Sequence, residues 1–283
     1  MSYSVFEKDG NLHLHGLTHL SPKQTFECGQ CFRFRCVDGI YEGVVGSSLL
    51  RVGNIDKDTV IFGCTLSDYE KKWKRYLSID RDYPLLCTDF ESNGDPILSA
   101  AASYGRGIRI LRQDKWEALC SFIISQNNNI PRIKKIIEKL CRTYGERITG
   151  DGEHYSFPTA QRLASLSVDE LYALSMGFRA KYVYDAAQKV SSGEIDLAYA
   201  DTLSTKDAAD YLCRIKGVGP KVALCTLLFG FDRTDAFPID VWVKKVLAKY
   251  YPDGPCSALT GKNAGIAQQY LFYYERCLTM GEI

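Results

Sequence analysis

Two ionisable side chains stand where they could do chemistry together. Lys221 lies two residues after Gly219 in Ile215-Lys216-Gly217-Val218-Gly219-Pro220, and Asp240 follows in Phe237-Pro238-Ile239-Asp240. Pro220 suits the first position of a helix, so Lys221 falls in that helix's first turn. There the positive end of the helix dipole disfavours an ammonium, and burial acts in the same direction. Both favour the neutral amine that nucleophilic attack requires. Pro238 holds Phe237 extended, which places Asp240 as the cap of the next helix. An intervening helix of about ten residues returns the chain, so amine and carboxylate can face one cleft. A carboxylate there can stabilise positive charge as it develops on a substrate. Taken singly, each residue has a plainer reading: a solvated, phosphate-binding lysine and a structural helix cap.

The elements that must position this pair are two helices joined by the Gly217–Gly219 turn. Glycine permits a tight turn and the close approach of another backbone. The unpaired amides opening the second helix form an anion site suited to a phosphate. A plain helix–helix turn would carry the same glycines. The 283 residues suffice for two domains. Residues 1–112 read as a β-rich domain, with short runs such as "LHLHGLTH", "QCFRFRCV", "IYEGVVG", "SLLRVG" and "TVIFGCTL". Asp38-Gly39, Gly46 and Gly53-Asn54 are their turn signals, and a Ser67-capped helix is expected near 68–77. Residues 113–283 read as helical, with Asp114 as one N-cap, Pro131 in a first turn, Gly145 at a helix end, and the hairpin at about 207–230. The fold class expected is α+β: an antiparallel sheet domain followed by a mostly helical region whose last helix closes the pocket.

Composition narrows the class. The formal net charge of +1 gives no global basic excess, which counts against a nucleic-acid partner unless a local patch supplies the field. The polar "MSYSVFEKDGNLHLHG" does not resemble a signal peptide. No apolar run reaches the ~18 residues of a membrane span, and "VALCTLLFGF" reads as a buried helix. Eleven cysteines, an odd number, are expected as reduced thiols. Cys28 and Cys31 form a C-x-x-C, but a zinc site needs a second matched pair and only Cys36 lies near. Cys277 stands alone in the last helix, so a four-cysteine iron–sulfur loop is not expected.

"IKGVGPKVA…FPIDVWV" resembles the helix-hairpin-helix plus Gly/Pro-Asp signature of the base-excision glycosylases. "SQNNNIPRIKKIIEKLC", "GFRAKYV" and "ECGQCFRF" are similar to segments of the 8-oxoguanine DNA glycosylases, in the same order over nearly the whole chain. The resemblance implies a bifunctional DNA glycosylase and abasic-site lyase of base excision repair, with Lys221 as nucleophile and Asp240 as its electrostatic partner. It implies that Gly29 accepts the N7 hydrogen of 8-oxoguanine, that Gln268 reads the Watson–Crick edge, and that Phe272 and Cys225 enclose the base. Asn127, Arg132 and Arg179 match positions that fill the gap in the duplex and contact the opposite base. Phe178 stands where relatives have a tyrosine wedge, and Trp242 replaces a histidine on the substrate side. Gly217 and Gly219 are implied in DNA binding, and the carbonyls of Cys213, Ile215 and Val218 in holding a monovalent or calcium ion. No cofactor is implied. The expected partner is double-stranded DNA containing 8-oxoguanine, met by a monomer in the cytoplasm, on the nucleoid of a prokaryotic cell. Two rivals remain: a non-catalytic DNA-binding module, and a glycosylase for another base such as an alkylated purine.

Overall fold

Two Asp-Gly turns with positive φ at both residues shape the sheet. Asp9-Gly10 (φ 51° and 73°) joins β1 (Ser4–Lys8) to β2 (Asn11–His15). Asp38-Gly39 (51° and 81°) joins β3 (Phe34–Val37) to β4 (Ile40–Val45). Such turns match the twist of paired strands. With β5 (Ser48–Ile55) and β6 (Asp58–Ile61) they make a six-stranded antiparallel sheet in the order β1-β2-β6-β5-β4-β3. The computed structural model describes residues 3–148 and 152–281; residues 1–2, 149–151 and 282–283, which the expected domains include, lie outside the described residues.

Three local expectations are corrected. Gly53 is not in a turn: it pairs with Val60 inside β5, and the chain reverses at Asp56 instead. A Cβ at Gly53 would sit 3.4 Å from the Gly39 carbonyl, so the glycine serves a close backbone approach. The strand expected from Gln30 begins only at Phe34: Gly29 turns the chain at φ +86°, and the Gln30 side chain is held by Thr25, Arg109 and Leu111 rather than standing on a sheet face. The helix expected near 68–77 starts at Leu66, capped by Thr65 rather than Ser67, passes through a π-helical turn at Tyr69–Trp73, and ends at Tyr76.

Two apolar cores result. Leu12, Leu14, Leu50 and Val52 of the sheet pack with Phe26, Tyr69, Trp73 and Tyr76. The larger core is helical, and it also claims Tyr83–Ser92 and Pro96–Tyr104, two helices inside the expected N-terminal domain. Their Phe90, Leu98 and Ala101 join Tyr270 and Leu271 of the last helix, Ala264–Met280. Arg109 ties the cores together from a fully buried position. Its guanidinium donates to the carbonyls of His19 (2.8 Å), Ser78 (2.7 Å) and Thr18 (3.2 Å), with the Tyr83 ring 4.6 Å away. Buried charge is tolerated where hydrogen bonds satisfy it.

The site-bearing helices follow their caps. Asp114 accepts from the Glu117 amide at 2.8 Å and opens Lys115–Ser125; Asn129 opens Ile130–Tyr144, which ends at Gly145. Thr205–Leu212 and Pro220–Gly230 form the expected hairpin. Pro220–Gly230 is buried through Val222, Ala223 and Cys225–Gly230, and Phe229 stacks on Phe122 at 5.2 Å. No helix among the described residues is long and apolar enough to cross a membrane. The cysteines are free thiols. Burial pushes the Cys28 thiol up to about 12 and raises Cys31 as well, which makes both poor nucleophiles.

Candidate functional site

Gly217 holds φ +81°, and a Cβ there would lie 2.2 Å from Cγ of Tyr182. The turn is thus set by conformation and by contact at once. Lys216 donates its amide to Asp185 Oδ2 at 2.7 Å, and Val218 donates to the Ile215 carbonyl at 3.0 Å. Gly219 opens the second helix with no side-chain cap. Pro220 has no N–H, so the amides of Lys221 and Val222 are the ones offered to an anion. Gly217→Ala is expected to destabilise the fold by about 2–5 kcal/mol, from left-handed strain plus overpacking against Tyr182. A urea titration reads this directly; a midpoint equal to wild type would remove the tight turn from the account.

Six residues singled out in the sequence line one half-open pocket of about 50 Å³: Gly29, Lys221, Cys225, Asp240, Gln268 and Phe272. Phe122, Phe229, Pro238 and Gln269 complete it. A larger cavity of about 190 Å³ lies elsewhere, between β3, β4 and the Ile130–Tyr144 helix. It holds none of the six. Its Arg33 and Arg35 are already paired with Glu117 (3.2 Å) and Glu42 (2.9 Å). The smaller pocket, which gathers the six, is the candidate site.

Lys221 is half-buried, with Nζ 5.6 Å from the centroid of the Phe122 ring. Cys225 stands one turn further along the same helix. Burial raises its thiol, while the charge of Lys221 and a hydrogen bond from it pull the other way. Asp240 caps Val241–Tyr250, its Oδ1 accepting from the Val243 amide at 2.8 Å. Among the described residues no ion pair joins it to Lys221, and both line the same pocket. The arrangement offers an amine and a carboxylate lining one half-open pocket.

The opposite wall is built around Gly29. Its φ is +86°, and a Cβ would meet Phe272 Cε1 at 3.4 Å and Ile130 Cδ1 at 3.5 Å. Gln30 anchors this loop from a fully buried position. Its Nε2 donates to the carbonyls of Thr25 and Arg109, both at 2.8 Å, and its Oε1 accepts from the Leu111 amide at 2.8 Å. Gln269 joins the walls, its Nε2 donating to the Cys28 carbonyl at 2.8 Å. Gln268 is 4% exposed and its Oε1 is buried without a partner. A buried acceptor left unpaired is costly and points to a donor that arrives with a ligand. Gln30 and Gln269 were not anticipated. The available signal was glutamine within apolar segments, where a buried amide must find partners.

A second group gathers on the surface. Asn127 (φ +47°) and Arg132 are exposed, and Phe178 is 44% exposed. Arg179 was expected beside them as a direct contact, but it is 3% exposed. It donates to the carbonyls of Gln126, Asn127 (2.6 Å) and Met176 (3.2 Å), and lies 4.5 Å from the Phe178 ring. Those carbonyls claim its guanidinium, so Arg179 braces the loop that presents Asn127 and Phe178. Trp242 is not brought to the pocket wall: it sits in the first turn after Asp240, with Lys245 Nζ 4.6 Å from its ring.

Comparison with known proteins gives consistent matches. The family described as 8-oxoguanine DNA glycosylase, N-terminal domain, matches residues 15–119, and the HhH-GPD superfamily base excision DNA repair protein family matches residues 120–257. The chain is 33% identical over 270 residues to the N-glycosylase/DNA lyase OGG1 of Arabidopsis thaliana, covering 91% of this chain and 74% of the relative. Among solved structures, the Clostridium acetobutylicum 8-oxoguanine glycosylase/lyase, in complex with double-stranded DNA containing cytosine opposite 8-oxoguanine, is 35% identical. Its TM-score is 0.91, with 100% of both chains covered. MBOgg1 in complex with a low-affinity DNA ligand is 41% identical with a TM-score of 0.91, over 99% of this chain and 100% of that one.

Proposed function

The chain belongs to the 8-oxoguanine DNA glycosylase family of HhH-GPD base excision DNA repair proteins, and from that premise we propose that its half-open pocket receives 8-oxoguanine turned out of duplex DNA. The protein is a DNA N-glycosylase with lyase activity. One observation carries the site assignment: Lys221, Asp240 and the unpartnered Oε1 of Gln268 line a single pocket with Gly29 and Phe272. Flipping a base costs a few kcal/mol of unstacking, which pocket contacts must offset. The Phe272 ring supplies a stacking face and Gln268 a buried acceptor. Gly29, with no side chain, lets the base approach the backbone, whose carbonyl can accept the N7 hydrogen that guanine lacks.

The chemistry follows from the amine. The Nζ lone pair of Lys221 forms a bond to C1′ as the C1′–N9 bond breaks, and the base leaves with that electron pair and takes up a proton. The Asp240 carboxylate stabilises the positive charge that gathers on the sugar. The sugar ring opens to a Schiff base on Lys221. Loss of a C2′ proton then expels the 3′ phosphate by β-elimination, cutting the strand. Water then hydrolyses the Schiff base and frees the Lys221 amine.

The hairpin amides at Lys221 and Val222 suit a backbone phosphate, and affinity should fall with salt. A monovalent or calcium ion on the carbonyls of Cys213, Ile215 and Val218 would add positive charge beside that phosphate. Carbonyl oxygens suit a hard cation, and Ile215 keeps one lone pair besides the one engaged by the Val218 amide. Asn127, Arg132 and Phe178 form the rim that fills the vacated stack, and Trp242 with Lys245 meets the strand beside Asp240. Six of the seven residues expected at the pocket line it, all from one chain, so a monomer suffices. A duplex-DNA substrate fits work on the chromosome, which in a prokaryotic cell is the nucleoid in the cytoplasm.

The test is strand cleavage of duplexes carrying 8-oxoguanine opposite each of the four bases, with unmodified guanine and 3-methyladenine duplexes alongside. The expected result is cleavage at 8-oxoguanine, with guanine released at least ~10²-fold more slowly because its N7 has no hydrogen to donate. Faster release of the alkylated purine would overturn the base assignment.

A further inference from the structure

We infer that Gln269 is a further specificity-determining residue of the base pocket, presenting a fixed acceptor to an N–H of the flipped base. The inference rests on the base-pocket reading above and extends it to a residue adjacent to Gln268. Gln269 is 3% exposed and lines the pocket together with Gln268 and Phe272. On a helix, residues 268, 269 and 272 fall within an arc of about 100°, so one pocket can be faced by all three.

The orientation of the Gln269 amide follows from its partner. Nε2 lies 2.8 Å from the Cys28 carbonyl, and a carbonyl can only accept. The nitrogen therefore points to the Gly29 loop, and Oε1, which accepts no hydrogen bond among the described residues, is the end left for the pocket. Gln268 adds its own unpartnered Oε1. The pocket thus offers neighbouring acceptors to a base that carries several N–H donors. 8-Oxoguanine has them at N1, at the exocyclic N2 and at N7; an alkylated purine has fewer. The same amide sets the position of Gly29, because its nitrogen holds the Cys28 carbonyl against the last helix. Gln30 fixes the loop from behind, through Thr25, Arg109 and Leu111. Loop and helix are therefore held in register.

The experiment compares two single-turnover rates for wild type, Gln269→Leu and Gln269→Met: release of 8-oxoguanine opposite cytosine, and β-elimination at a preformed abasic site opposite cytosine. The second substrate has no base to read. The ratio of base release to β-elimination is expected to fall at least tenfold in both variants. A parallel loss of the two activities, or an unchanged ratio, would overturn the inference and leave Gln269 a structural residue. Wild type is the control for the underlying reading: if it fails to release 8-oxoguanine, the base assignment itself is at fault, whatever the variants do.

Discussion

Lys221→Gln is expected to abolish covalent trapping on 8-oxoguanine DNA by borohydride and to slow single-turnover base release at least ~10³-fold, a loss of about 4 kcal/mol of transition-state stabilisation. The substitution keeps most of the side chain and removes the amine nitrogen that forms the bond to C1′. Binding should survive it. Phe272, Gln268 and the Gly29 wall do not depend on Nζ, and the helix that carries Lys221 is held by its buried face from Val222 to Gly230. Phe229 and Phe122 lock that face to the neighbouring helix. The residual contact of Nζ with the Phe122 ring, at 5.6 Å, is a small part of this packing. The measurement that decides is trapping yield at matched occupancy of lesion DNA. If Lys221→Gln traps as well as wild type, the nucleophile lies elsewhere.

The amine and the carboxylate of the pocket were legible because their placement is tied to local backbone rules. A glycine turn, a proline and a lysine in a first turn place the amine; a proline and an aspartate cap place the carboxylate. Gly29, Gln268, Phe272 and Cys225 entered the pocket reading through the resemblance; helical spacing adds only that Gln268 and Phe272 share a face and that Cys225 stands one turn after Lys221. What was not legible depends on contacts distant in sequence. Gln269 matters because Cys28, far along the chain, turns its carbonyl toward it. Arg179 reads as a surface arginine until the loop carbonyls of Gln126 and Asn127 are seen to take its donors. Gly53 has the composition of a turn, and only the approach of Gly39 across the sheet explains it as a strand residue. The helices Tyr83–Ser92 and Pro96–Tyr104 follow the sheet in sequence but bury their apolar faces against the last helix. A boundary drawn from the change of periodicity cannot see that exchange, because an amphipathic stripe does not say which core it joins.

Asp240→Asn separates the two roles of that residue. As an N-cap, Asp240 gives Oδ1 to the Val243 amide at 2.8 Å. Asparagine caps as well as aspartate, so that bond persists, and the remaining loss is the favourable interaction of a charge with the helix dipole. Stability should therefore change by no more than about 1 kcal/mol. The electrostatic role is lost in full, because a neutral amide cannot stabilise the positive charge that gathers on the sugar. Single-turnover base release is expected to slow by ~10²–10³-fold, matching the few kcal/mol that one preorganised group supplies to a charged transition state. Affinity for lesion DNA should hold or rise, since removing the carboxylate also relieves repulsion from the phosphates. Asp240→Ala is the companion variant: it loses the cap as well, and should cost about 1 kcal/mol more in a urea titration than Asp240→Asn while slowing base release to a similar degree. Two results would sink the assignment. An unchanged single-turnover rate in Asp240→Asn would leave the residue a cap alone. A rate loss in Asp240→Ala that tracks its lost stability, with no loss in Asp240→Asn, would show that the carboxylate acts on helix geometry rather than on the sugar's charge.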